Sequence, residues 1–428
     1  MPSAPVILRA RVVAPITRPP IDDGAVVIWN QQVKTVGRWR DVSAIWNGES
    51  LDLGEAALLP GLVNAHCHLD YTDMVGQISP QRSFSAWIKC ILGLKLQWDL
   101  ARYEQSWVRG ADLLVRTGTT TVGDIEAVPS LLPAVWRTTP LRVISFLEMT
   151  GLRGLRTPTA ILRETMGRAA SLPHGDQYRA ALSPHAPYST TGELLRLSAA
   201  AAIENDRRLS IHVAESDEEF EMFTKAAGPM FEWLQRNERD MSDCGLGSPV
   251  QHLERNGSLV AGLVAAHVNY LAEGDADLLA RRGASVVHCP RSHAYFGHRP
   301  FPHNQLSAAG VNLCLGTDSL ATVIETPGTR TRLSMFAEMR AFATAAPSLS
   351  PRTVLEMATT NAARALGWQG AVGEIRAGAW ADLVTLPFSG RLAELEPTVV
   401  DHDGEVTGSM IGGVWAIKPA HLKPACHD

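Results

Sequence analysis

Pro60-Gly61-Leu62-Val63-Asn64-Ala65-His66-Cys67-His68-Leu69-Asp70 is the stretch that decides the fold. An apolar run, Ala56-Ala57-Leu58-Leu59, leads into a Pro-Gly pair and then into a short strand ending in His-x-His. Side chains alternate faces along a strand, so His66 and His68 point the same way. Two imidazoles on one face at a strand end can grip one divalent metal. Paired histidines also occur as satisfied core or surface residues, so the rest of the chain has to decide.

Outward from this stretch, short apolar strands alternate with helical patterns. Strands are expected at 59–66, 119–125, 142–148, 179–184, 209–213, 262–268, 284–288 and 311–316, with helices such as 192–205 and 275–282 between them. Eight β units with helical crossovers predict a (β/α)8 TIM barrel, an α/β fold whose active site lies where the strands end. Before it, residues 6 to 55 read as short strands separated by turns at Pro15, Pro19, Pro20 and Asn30-Gln31-Gln32. After it, a helical pattern over 353–366 ends at Gly367. A turn-then-strand at 373–386 and a hairpin-like strand at 412–417 follow. The terminal segments are expected to join in a small composite β-sandwich, dividing the chain into 1–57, 58–367 and 368–428.

The 428 residues are 45% apolar and 19% charged, the composition of an ordinary globular protein. A net charge of -5 gives no electrostatic case for nucleic acid or an anionic membrane. No apolar run approaches the roughly 18 residues of a spanning helix, and Met1-Pro2-Ser3-Ala4-Pro5 lacks the pattern of a signal peptide. Cys67, Cys90, Cys244, Cys289, Cys314 and Cys426 are scattered without a C-x-x-C pair and read as buried thiols in a reducing compartment. A cytoplasmic location is expected.

The proposed strand ends carry the chemistry. The first ends in His66 and His68, the fourth in Ser183-Pro184-His185-Ala186-Pro187-Tyr188-Ser189, and the fifth in His212-Val213-Ala214-Glu215. The sixth ends in His267, the seventh in His288-Cys289-Pro290-Arg291-Ser292, and the eighth in Gly316-Thr317-Asp318-Ser319. Random placement of 14 histidines would rarely gather them at the one rim where a barrel keeps its active site.

These motifs, in this order, resemble the amidohydrolase superfamily. Within it the chain is similar to the cytosine-deaminase-like and chlorohydrolase-like branch, which includes deaminases of guanine, S-adenosylhomocysteine and aminodeoxyfutalosine. The resemblance spans nearly the whole chain, including the Gly-x-x-Ala-Asp-Leu-Val element near Asp382. It implies one divalent metal per chain, zinc ahead of ferrous iron, held by His66, His68, His212 and Asp318. Such a metal brings the pKa of a coordinated water near neutrality. Binuclear relatives use a carboxylated lysine on the fourth strand. Residues 179–184 contain none, which favours a mononuclear site.

The resemblance further implies that Glu215 moves protons between water, ring nitrogen and leaving amine, that His267 orients the water, and that Asp318 both ligates and accepts a proton. His185, Trp87 and Thr322 are the implied substrate contacts. Glu215 also reads as a solvated carboxylate in the acidic run 215–219, and His267 as a packed strand histidine. His293 stands where the branch usually has Asn. With His298 and His303 it suggests either a second metal site or, as the preferred expectation, exposed loop histidines. The segment 91–97 lacks the carboxylate that holds a ribose in S-adenosylhomocysteine-type deaminases.

The expected activity is hydrolytic deamination of an amino-substituted heterocycle, a purine- or pyrimidine-like base or nucleoside such as aminodeoxyfutalosine, with release of ammonia. The partner is this small molecule, with no nucleic acid and no membrane. A homo-oligomer is compatible with the resemblance. Two alternatives stay open: dechlorination or cyclic-amide hydrolysis at the same site, and a non-catalytic metal-binding scaffold.

Overall fold

The structure, a computed structural model, describes residues 4–81, 83–152, 156–325, 331–420 and 422–425; Met1, Pro2, Ser3 and Cys426 lie outside the described residues. The chain opens with β1 (Val6–Val13), β2 (Ile21–Trp29), β3 (Gln32–Arg38), β4 (Glu49–Asp52) and β5 (Ala56–Pro60). β2 and β3 form a hairpin whose two loop residues, Asn30 and Gln31, have φ of 50° and 68°. That left-handed pair matches the twist of the flanking strands.

One expected strand is two. The predicted first barrel strand, 59–66, breaks at Gly61. β5 stops at Pro60, and β6 runs Leu62–Cys67. The cause is a change of partner between adjacent residues: the Gly61 N–H donates to Asp382 O at 2.8 Å, and the Leu62 N–H to Gly118 O at 2.9 Å. A Cβ on residue 61 would lie 2.0 Å from Thr120 Oγ1, so only glycine fits the crossing from sheet to barrel.

The barrel comprises β6, β7 (Thr119–Glu126), β8 (Arg142–Met149), β9 (Tyr178–Pro184), β10 (Leu209–Val213), β11 (Leu263–His267), β12 (Ser285–His288) and β13 (Asn312–Leu315). All pair in parallel in sequence order, and a bridge between Cys67 and Asp318 closes the ring. Gly316 makes the closure possible, because a Cβ there would meet His66 O at 2.7 Å. Helices cover the outside as the 3.6-residue period requires. Leu100–Arg116, capped by Asp99 on the Arg102 N–H, buries Tyr103, Trp107 and Leu114.

The helical pattern at 353–366 is also two elements, Pro351–Met357 and Thr360–Ala365, hinged at Thr359. The second helix turns inward, and Ala362, Ala363 and Leu366 pack with Val63, Ile125 and Val264 of the barrel interior. Small side chains let it approach that closely.

β14 (Leu383–Pro387), β15 (Gly408–Ile411), β16 (Val414–Ile417) and β17 (Lys423–Pro424) return to the first sheet. β14 pairs antiparallel with β5 and β17 with β4, so both termini build one nine-stranded sheet. It forks at β1, whose residues 6–9 pair with β4 and residues 12–13 with β5. Arg142 of β8 ties the sheet to the barrel by a bidentate pair with Asp382, at 2.6 and 3.1 Å. Of the cysteines expected to be buried, Cys67, Cys244, Cys289 and Cys314 are, while Cys90 is exposed on the outer face of the helix Phe84–Lys95. No helix among the described residues is long and apolar enough to cross a membrane.

Candidate active site

Strand alternation sends His66 and His68, the latter one residue past the end of β6, to the same side. His212 is the penultimate residue of β10, His267 the last of β11, and Asp318 follows β13 by three. All five are at least 94% buried, so their polar atoms have to find partners within the site.

His68 Nε2 stands 3.3 Å from His212 Nε2. Asp318 Oδ1 lies 3.6 Å from His68 Nε2 and 3.9 Å from His66 Nε2. Ligand atoms within 4.8 Å of one another come from three sets: His66, His212 and His267; His66, His68 and Asp318; Glu215, His267 and Asp318. Both ring nitrogens of His66, Nδ1 of His68 and Nε2 of His267 have no hydrogen-bond partner. Of these, His66 Nε2 faces the Asp318 carboxylate, and a cation held between them would satisfy it.

The surroundings prepare the ligand atoms. His212 Nδ1 lies 3.0 Å from His185 O, which can only accept, so Nδ1 carries the proton and Nε2 turns its lone pair inward. Asp318 Oδ2 accepts from Ser292 Oγ at 2.6 Å and Thr322 Oγ1 at 3.3 Å, which leaves Oδ1 facing the histidines. Burial, and then the neighbouring imidazoles, push His66, His68 and His267 well below the usual histidine range. Burial also brings His212 down to about 4. Neutral imidazoles with a carboxylate are a donor set that fits zinc or ferrous iron. β9 carries no lysine.

Glu215 is 94% buried, with Oε1 3.7 Å from His267 Nε2. Burial, reinforced by Asp318 and Glu219, holds its carboxyl well above the ordinary range.

A cavity of about 420 Å³ opens onto this cluster, lined at its polar end by His68, His185, His212, Glu215 and Asp318. Its walls are mostly apolar, Phe84 and Trp87 among them, and Trp87 stacks on Phe84 and meets Phe296 edge-on. His185 lines the cavity with Nδ1 2.7 Å from Ser189 Oγ. Thr322 is elsewhere: it is 99% buried beside the Asp318 carboxylate and outside the lining.

The acidic run 215–219 is not a solvated face. Glu218 accepts from the Phe84 and Ser85 N–H groups at 2.9 and 3.1 Å, seating the helix that carries Trp87, and Glu219 accepts from the Glu215 N–H at 2.8 Å. Sequence reasoning also missed Tyr71, whose ring stacks on His68, and Lys95, whose Nζ lies 2.5 Å from the Tyr71 hydroxyl. It missed Glu148 in the cavity wall as well. Only Ser292, inside His-Cys-Pro-x-Ser, had a visible signal.

His293, His298 and His303, expected as exposed loop histidines, are half-buried. His293 packs on His288, which stacks on Phe301 at 3.9 Å, while His298 packs on His293 and His303 on Phe342. Among the described residues their nitrogens form no group close enough for one ion. His293 lies in the helix Pro290–Phe296 and His303 opens the helix His303–Ala308, so these two are not loop residues, and aromatic packing draws the three inward.

Residues 57–416 match the model of the amidohydrolase family. The chain is 30% identical over 389 residues to a 5-methylthioadenosine/S-adenosylhomocysteine deaminase of Syntrophobacter fumaroxidans, covering 86% of this chain and 80% of that protein. It is 28% identical over 362 residues to an aminodeoxyfutalosine deaminase of Deinococcus radiodurans, covering 80% and 81%. The crystal structure of an adenosine deaminase from Xanthomonas campestris with bound zinc superposes with a TM-score of 0.83 at 24% identity, over 100% of this chain and 96% of that one. With the match spanning the whole barrel and the strands β5, β14, β15 and β16 of the composite sheet, this chain belongs to the amidohydrolase family.

Proposed function

We propose that this chain is a metal-dependent aminohydrolase that replaces the ring amino group of a purine-like nucleoside by a carbonyl and releases ammonia. The observation that carries it is the buried Glu215 carboxyl, 3.7 Å from His267 and exposed to the cavity beside Asp318. The two related deaminases support this substrate class. Aminodeoxyfutalosine is the narrower candidate.

His66, His68, His212 and Asp318 would hold one divalent metal, zinc ahead of iron. When bound, the metal supplies Lewis acidity and lowers the pKa of a coordinated water. The remaining steps belong to side chains. Glu215, whose carboxyl burial holds above the ordinary range, gives its proton to the ring nitrogen beside the amino-bearing carbon and makes that carbon electrophilic. His267 Nε2 orients the attacking water. The Glu215 carboxylate left behind takes up the first proton of the attacking water and passes it to the departing amine. Asp318 takes the second, from the adduct hydroxyl as the carbonyl forms, and returns it to Glu215. Overall, the ring amine and water become the ring carbonyl and ammonia. Phe84 and Trp87 would cover the heterocycle and exclude bulk water, with His185 on its polar edge.

Metal analysis of purified protein, paired with ammonia release from 5'-methylthioadenosine, S-adenosylhomocysteine, 5'-deoxyadenosine and aminodeoxyfutalosine, tests this. The expected result is about one metal per chain and turnover of at least one substrate. A loaded protein that releases no ammonia from any aminated ring refutes it.

A further inference from the structure

The strand ends that present Glu215 and His267 have a costly backbone. Ala214, His267 and Val268 have φ of 49°, 72° and 49°, a region that L residues, and β-branched ones above all, enter under strain. Such geometry persists only where its surroundings hold it. Here they act through Asn269.

Its backbone N–H donates to Ala214 O at 3.0 Å, next to a Val268 N–H bond to Val213 O at 2.8 Å. The turn after β11 is thereby zipped to the end of β10. The Asn269 side chain donates from Nδ2 to Glu215 O at 2.9 Å. That carbonyl can only accept, so the amide orientation follows, and Oδ1 faces His293 Nδ1 at 3.0 Å. Oδ1 also only accepts, so His293 carries its proton on Nδ1. One residue on, the Tyr270 hydroxyl lies 3.2 Å from His298 Nδ1. Two successive residues behind His267 are thus each gripped by an imidazole from the segment after β12. Burial pushes His293 down, against an opposing hydrogen bond to the Arg299 backbone, and His298 down to about 3.

We propose that His293 is a positioning residue of the reaction. Through Asn269 it sets the Glu215 backbone and, together with His298 on Tyr270, it clamps the 267–270 turn so that His267 and Glu215 face the cavity. The clamp rests on the deaminase reading above. His293 itself lies outside the cavity lining, and its nitrogens meet no second metal set.

The test compares three substitutions in the metal-loaded enzyme. His293→Asn places an N–H the same number of bonds from Cα as Nδ1. His293→Gln keeps polarity but sets its amide one carbon further out. His293→Leu removes the donor. The expected result is a kcat lowered about 10- to 100-fold in the Leu and Gln variants, with KM within about threefold and metal content unchanged. His293→Asn restores kcat to within about threefold of the parent. Should the Leu variant fail to fold, the Asn–Gln contrast still decides. Leu and Gln variants within twofold of the parent, an Asn variant as slow as Gln, or a kcat loss that tracks metal loss each overturn the clamp.

A readout independent of activity separates failure of the clamp from failure of the deaminase reading. The 15N shifts of the His293 ring are expected to show Nδ1 protonated. The Nε2-protonated tautomer overturns the clamp whatever the enzyme hydrolyses.

Discussion

Replacing Ser292 by Ala removes the shortest hydrogen bond to a proposed metal ligand. Ser292 Oγ lies 2.6 Å from Asp318 Oδ2, and both residues are at least 95% buried. A hydrogen bond to a charged group is worth about 1.5–3 kcal/mol, and little water can replace this one. Ligand partners of this kind typically carry about 10–100-fold in metal affinity, or about 1.4–2.8 kcal/mol at 1.4 kcal/mol per decade. The two ranges overlap, so Ser292→Ala is expected to raise the metal dissociation constant about 10- to 100-fold. Thr322 Oγ1, on the same oxygen at 3.3 Å, is the longer and weaker support, and Thr322→Ala is expected to cost about two- to fivefold. Competition against a chelator of known affinity measures both. A dissociation constant for Ser292→Ala within twofold of the parent, or a larger effect from Thr322 than from Ser292, refutes the reasoning.

Glu215→Gln keeps the shape but removes the transferable proton. Deamination should fall about 10²–10⁴-fold with metal content unchanged, and activity within tenfold of the parent removes Glu215 from the mechanism. Asp382→Ala strands the buried Arg142 guanidinium, and urea unfolding should show a loss of about 3–5 kcal/mol, much of it recovered by Arg142→Met with Asp382→Leu. A loss under about 1 kcal/mol means the sheet does not depend on that pair for its attachment. Buried His252 is brought down to about 4 by desolvation. Between that value and the unfolded histidine pKa of about 6.5 the unfolded chain binds the extra proton, so stability falls as pH drops through that window, by about 3 kcal/mol in full. His252→Gln should flatten the slope of melting temperature against pH between about 4.5 and 6.5. Equal slopes would show that His252 charges as easily folded as unfolded.

The barrel was legible because β-rich runs and helical crossovers alternate eight times, and local periodicity is written in the chain. Gly61 shows where that legibility stops. Residues 59–66 read as one strand because apolar side chains dominate them, and only a partner change from Asp382 to Gly118 divides it. The helix at 353–366 divides for a similar reason, since the Ala-rich half is drawn against the barrel interior. At the site, His66, His68, His212, Glu215, His267 and Asp318 stood out because each closes a strand. Glu218 looked like surface charge, since nothing nearby in sequence announces that it caps a helix more than 130 residues away. Asn269 was silent for the same reason, and His293 stood out only as a departure from the branch pattern, with nothing nearby to announce its contact with Asn269.

The sequence by itself determined the strand-and-crossover order, the residues on the catalytic rim and the family motifs, because all of these depend on spacing along the chain. Tertiary structure decided which oxygen of Asp318 faces the histidines, which nitrogen of His212 is free, which acids are buried and where Thr322 goes. Those outcomes depend on contacts between strands that meet only when the barrel closes, where one hydrogen bond from a distant residue sets the proton and the lone pair.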